Sequence, residues 1–181
     1  MQRADRLRRV VILCCAFARN LAYYRVGQDK EYRYLFDPVK NASANFWRMA
    51  NSNCLDICVL DWCKLLGDKK AKHSWEKVVT DPANFKAGLL IDLGLDEAAF
   101  QNQIVRMRHY RDSFVAHLDS DRTMAIPNLD VAKKSVWFYH AHILNQEAKA
   151  RDLAGLALDL DSGYRTSEGE ARMVFHAAAT F

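Results

Sequence analysis

A chain of 181 residues with 26 Lys and Arg against 22 Asp and Glu, net charge +4, is the size of one domain and long enough to bury a core without staples. Half of it is hydrophobic, with three prolines and seven glycines, which excludes a disordered, collagen-like or low-complexity chain. The small positive surplus permits a polyanionic partner without implying one, because clustering matters more than the sum.

The five cysteines are odd in number; Cys14 and Cys15 are adjacent, and Cys54, Cys58 and Cys63 fall inside an apolar periodic segment. They read as free thiols of a reducing compartment, and the expected localisation is cytoplasmic. Cys54 and Cys58 stand one helical turn apart, but no Cys-x-x-Cys or paired His completes a tetrahedral set, so neither a metal nor a cofactor is expected.

Arg3 to Arg9 followed by Val10 to Ala18 has the outline of a secretory leader. Asp5 interrupts its basic part, however, and Leu7, Val10, Cys14, Phe17, Leu21 and Tyr24 keep a helical spacing straight through the supposed cleavage point. A cleaved leader has no reason to hold register with the mature chain, so a first core helix is expected. No uninterrupted apolar run reaches the ~18 residues of a membrane span, and no membrane partner is expected.

A polar, tyrosine-rich connector leads from Gly27 to Pro38, and a second long helix from about Ser43 to Leu66, closed by Gly67. Apolar residues on nearly every side make it the expected most buried helix, with Asp56 and Asp61 in need of partners or water. A basic loop from Asp68 to Ser74 carries Lys69, Lys70 and Lys72 and runs into a short turn at Trp75 to Val79. Asp81-Pro82 places an N-cap before a first-turn proline, so a helix to about Leu93 is expected, stopping at Gly94. A third long helix starts near Asp96 with Phe100, Ile104, Met107, Phe114 and Leu118 in register. A fourth, after Pro127-Asn128, keeps register to Leu160, and Ser167-x-x-Glu170 has the form of a capping box opening a short C-terminal helix. The fold expected is all-α, a single domain over 1–181: an antiparallel helical bundle of four main helices plus short accessory ones. Trp47, Trp62, Trp75 and Trp137 are expected as core aromatics, His109 on the surface, and His140 and His142 in structural roles.

Chemistry enters where the third apolar seam skips a position. Arg111 stands on the stripe that its neighbours assign to the interior, and a guanidinium there requires a partner, a pocket or an interface. His117 lies six residues on, about 9 Å along and about 120° around a straight helix, which is poor geometry for a mutual hydrogen bond. Two copies of this helix about a twofold axis would bring both pairs to one cleft. The structural alternative is an Arg111 paired with Asp56 or Asp61 and a His117 capping the helix end.

The stretch Tyr110-Arg-Asp-Ser-Phe-Val-Ala-His-Leu-Asp119 resembles the R-x(4–6)-H signature of the HEPN superfamily, helical bundles of prokaryotic defence and toxin systems and some RNA-processing enzymes. Ala18 to Arg25, Leu60 to Gly67 and His73-Ser-Trp75 are similar to its abortive-infection branch, and the resemblance covers about residues 15 to 145. It implies a homodimeric, metal-independent endoribonuclease in which His117 serves as general acid or base, Arg111 stabilises charge on the scissile phosphate and Asp112 orients one of them. Those residue types suit the task, since imidazole titrates near working pH and guanidinium forks onto phosphate oxygens. Lys69, Lys70, Lys72, Arg106 and Arg108 are the expected RNA backbone contacts. The resemblance also implies an antitoxin or nucleotidyltransferase-like partner. Asp119 stands where one toxin branch has a tyrosine, so activities tied to that tyrosine are not expected. The alternative is a catalytically silent HEPN module that binds RNA or a partner protein.

Overall fold

The computed structural model describes residues 2–116 and 125–179. It is an all-α helical bundle, with no strand among the described residues. The α-helices are α1 (Arg3–Gly27), α2 (Ala44–Trp62), α3 (Trp75–Val78), α4 (Pro82–Leu93), α5 (Glu97–Tyr110), α6 (Leu129–His142) and α7 (Leu160–Ala179). Three of them, α2, α5 and α6, continue directly into wider π-helical turns at Cys63–Gly67, Arg111–Ala116 and Ile143–Glu147. The chain groups into two compact units, Met1–Cys14 with Val59–Leu158 and Cys15–Cys58 with Asp159–Phe181.

In the first unit the ends of the helices obey local chemistry. Asp81 accepts from Asn84 N at 3.0 Å to start α4 at Pro82, and Gly94 ends it in the left-handed region at φ 63°, which a side chain would strain. Asp96 caps α5 by accepting from Ala99 N at 2.7 Å, and Asn128 caps α6. Phe85 is the aromatic hub, with Trp75, Phe138, Tyr139 and His142 all within 5.3 Å between ring centroids. The buried Trp62 indole donates to Ser135 Oγ at 2.9 Å, and the Ser135 hydroxyl in turn donates to Ala132 O at 2.9 Å. Asp61 is buried and paired with Lys64 at 2.8 Å.

The second unit is organised around Phe175 of α7. Its ring stacks on Tyr32 at 5.3 Å and meets Trp47 at 5.3 Å and Phe36 at 6.2 Å, while Val26, Leu35 and Ala171 close the cluster. Gly27 belongs here for reasons of space: a Cβ at that position would lie 2.2 Å from Asn51 Oδ1.

Several sequence expectations require correction. The second helix is not the most buried, because Phe46, Met49 and Ile57 are 56%, 55% and 40% exposed. The fourth helix does not reach Leu160. It leaves α geometry at Ile143, where Glu147 turns back to bond Thr80, and Gly155 at φ 78° then excludes a helical path. Ser167 and Glu170 cap nothing: α7 passes through both, and its start is capped by Asp159, whose Oδ1 accepts from Ser162 N at 2.9 Å. The tyrosine-rich connector contains a 3₁₀ helix at Lys30–Phe36. By length and composition α1 is long and apolar enough to cross a bilayer, and 61% of its most apolar stretch is buried within the protein.

Candidate functional site

Two of the π-helical turns build the site, both in the first unit. At the end of α2 the Asp68 N–H donates to Cys63 O at 2.8 Å, a bond spanning five residues where an α-helix spans four. That closure sets the Asp68 carboxylate beside the last turn of α5. Arg108 there donates to Gly67 O and holds Nε 3.3 Å from Asp68 Oδ1, at ion-pair distance. Arg111, the first residue of the second π turn, donates through Nη1 to Asp68 Oδ2 and through Nε to Asp112 Oδ1 at 2.8 Å. Among the described residues its Nη2 makes no hydrogen bond. Two guanidiniums thus converge on one carboxylate, and a second carboxylate braces the inner one.

Arg111 is the less solvated of the two, its side chain 21% exposed against 39% for Arg108. Its guanidinium is held above its ordinary pKa chiefly by the hydrogen bond from Nε to Asp112, against the opposing effect of burial, with the charge of Asp68 among the smaller contributions. It is therefore a fixed cation, suited to binding an anion and not to moving a proton. Burial pushes the neighbouring Cys63 thiol up to about 12, so it supplies no nucleophile near neutral pH.

Beside Arg108 lies a small polar cavity of about 80 Å³ that Lys69, Lys86, Glu76 and Glu97 share with it. Lys69 pairs there with Glu76 at 3.4 Å, and Lys86 pairs with Glu97.

Of the residues singled out in the sequence, the structure brings together Arg111, Asp112 and Arg108, with Lys69 around the adjoining cavity. Lys70 contributes its carbonyl, to Lys77 at 2.6 Å. Lys72 lies near His73, whose pKa is lowered first by burial and then by the charges of Arg9, Arg6, Lys64 and Lys72. Arg106 is exposed on α5. His117 lies outside the described residues. The phase computed for it on a straight α-helix does not carry through Arg111–Ala116, because that segment is π-helical. The carboxylates that Arg111 meets are Asp68 and Asp112, not Asp56 or Asp61, and of these sequence reasoning missed Asp68. The available signal was an acidic residue directly after the helix-ending Gly67.

Exposed His109 places Nδ1 3.3 Å from Ser113 Oγ. Among the described residues no group of three His, Cys, Asp or Glu side chains is arranged to hold a metal. No family model, curated protein or solved structure matches the chain.

Proposed function

We propose that the chain is a HEPN-type, metal-independent endoribonuclease that acts as a homodimer in a defence or toxin role, with RNA as substrate. The observation that carries this reading is the convergence of Arg108 and Arg111 on a single anion, the Asp68 carboxylate. Two guanidiniums aimed at one point are what a phosphodiester requires, and Asp68 holds that place when no RNA is bound. Asp112 fixes the fork of Arg111 from behind, so the cation is oriented before substrate arrives. His117, beyond the same turn, supplies the titrating group of the reading. In a dimer the second copy would contribute its own Arg111 and His117 to one cleft, and an antitoxin or nucleotidyltransferase-like protein would restrain it.

The experiment is cleavage of a mixed RNA pool in EDTA by the wild type, His117→Ala and Arg111→Lys. Wild-type cleavage that falls by about 100-fold or more in His117→Ala, the scale of lost acid–base catalysis, is the expected result. Absence of cleavage by the wild type overturns the enzyme reading.

One feature favours a second reading, a silent module that binds RNA or a partner protein: Asp68 and Asp112 together balance the charge of both arginines. That reading expects salt-sensitive RNA binding without products.

A further inference from the structure

A second group of cations in the first unit centres on His73, in the basic loop that follows α2. Burial and then the charges of Arg9, Arg6, Lys64 and Lys72, which all act on its ring, hold its pKa below the ordinary value. Hydrogen bonds fix the frame: Arg6 Nη1 donates to Lys77 O at 3.0 Å, tying α1 to α3, and the Tyr139 hydroxyl of α6 donates to His73 O at 3.3 Å. Lys64 is paired with buried Asp61 at 2.8 Å. Among the described residues no carboxylate stands at ion-pair distance from Arg6, Arg9 or Lys72, and the side chains of Arg9 and Lys72 make no hydrogen bond. Arg108 and Arg111, by contrast, each meet a carboxylate. Like charges gathered without a counter-ion repel one another, and an anion seated among them removes that cost.

We propose that Arg9 and Lys72 form a binding site for a phosphate group, with Arg6 and Lys64 adding positive charge nearby. Both side chains are exposed, and Arg9 opens onto a groove of about 520 Å³ along α1 that it lines with Asp5, Arg8 and Ile12, so a phosphate has free approach. Among the described residues Asp5 forms no ion pair there, and Arg8 is turned to the carbonyls of Asp152 and Ala154. Arg6 and His73 are not assigned as direct contacts, since Arg6 Nε and His73 Nδ1 are closed to solvent. A guanidinium beside an ammonium suits a phosphate, whose oxygens take the fork of the one and the point charge of the other. The phosphate of a nucleotide chain and that of a small monoester share this chemistry. The site is defined without Arg108, Arg111 or His117, so it stands or falls independently of the ribonuclease reading.

His73 is a built-in reporter, because an anion among the cations offsets the charge that depresses it. Its imidazole Cε1–H resonance, assigned with His73→Gln, is followed by NMR in inorganic phosphate, in a thymidylate hexamer that has no 2′-hydroxyl to support cleavage, and in sodium chloride of equal ionic strength. Phosphate at about 10 mM is expected to raise the His73 pKa toward its ordinary value in a saturable way, while chloride acts only by the general screening that exposed His109 and His176 share. Arg9→Gln and Lys72→Gln are each expected to weaken the apparent affinity about fivefold, and Lys30→Gln, in the second unit, to leave it unchanged. A saturable response to phosphate supports the site with a small monoester as sufficient ligand; a response to the hexamer alone supports it with a chain phosphate as ligand. A His73 response to phosphate no larger than to chloride, with none to the hexamer, overturns the site. Unchanged affinity in both Arg9→Gln and Lys72→Gln overturns the residues assigned to it.

Discussion

Asp68 accepts the guanidinium of Arg111 across a separation of 43 residues, and the two meet because each is fixed by a π-helical turn. On the proposed ribonuclease reading, Asp68→Asn removes the carboxylate charge that would compete with RNA phosphate for Arg108 and Arg111. Its RNA affinity should rise several-fold at low salt and show a steeper salt dependence in a filter-binding titration. The same change should lower stability by about 1 kcal/mol or less, since the pair is partly solvated, which is a shift of about 2–4 °C in Tm. A fall in affinity would argue that Asp68 is itself part of the binding surface.

Arg111 was legible in the sequence because it breaks an otherwise regular apolar spacing. Asp68 was not, because it comes after Gly67 in a loop with no periodicity to violate. Caps such as Asp81 and stops such as Gly94 were readable for the same reason that they work: their effect is confined to a few neighbouring residues. The capping-box reading of Ser167 and Glu170 failed because α7 already starts at Leu160 under the Asp159 cap, so both residues stand inside a continuous helix. Gly155 was overlooked because Leu153, Ala157 and Leu160 continue the apolar register on either side of it. The π turns were invisible to a count at 3.6 residues per turn, and it is these turns that aim the candidate site.

Glu147 should set the acid limit of the first unit. Its side chain is 2% exposed; burial on its own would raise its pKa, but Thr80 Oγ1 and N–H, His142 and Arg3 outweigh that and lower it. A carboxyl whose folded pKa is lowered stabilises above its unfolded value of about 4.3, and the contribution is lost as pH falls through the folded value. Thermal melts should therefore show Tm falling below about pH 4.3, and Glu147→Gln should weaken that dependence. At neutral pH Glu147→Gln should cost about 2–4 kcal/mol, because an amide turns one donor toward donors.

Glycines in helices should divide by the space around them. Gly27→Ala places a methyl 2.2 Å from Asn51 Oδ1 and 3.0 Å from the Phe175 ring, and should destabilise by about 1–3 kcal/mol in urea titrations despite the better helix former. Gly163→Ala and Gly169→Ala, in α7 with nothing within 4 Å of the added carbon, should each stabilise by about 0.5–1 kcal/mol. The opposite order would mean that Asn51 moves freely away from Gly27.

Ser135→Ala should leave the Trp62 indole N–H without an acceptor in a fully buried place and cost about 1–3 kcal/mol. The added Trp62→Phe change should recover part of that loss, as a double-mutant cycle by chemical denaturation would show.

A π turn is an α-helix carrying one residue more than its period accommodates. Deleting one residue between Cys63 and Asp68 would turn their five-residue bond into the ordinary four-residue bond of an α-helix and leave Asp68 near its present phase around the axis. One residue added or removed within the α-helical part of α2, with no π turn to absorb it, would instead turn Asp68 by about 100° away from Arg111 although every side chain of the site survived. The site is thus specified partly by the number of residues that precede it, a kind of information that a scan of substitutions, however complete, would never reveal.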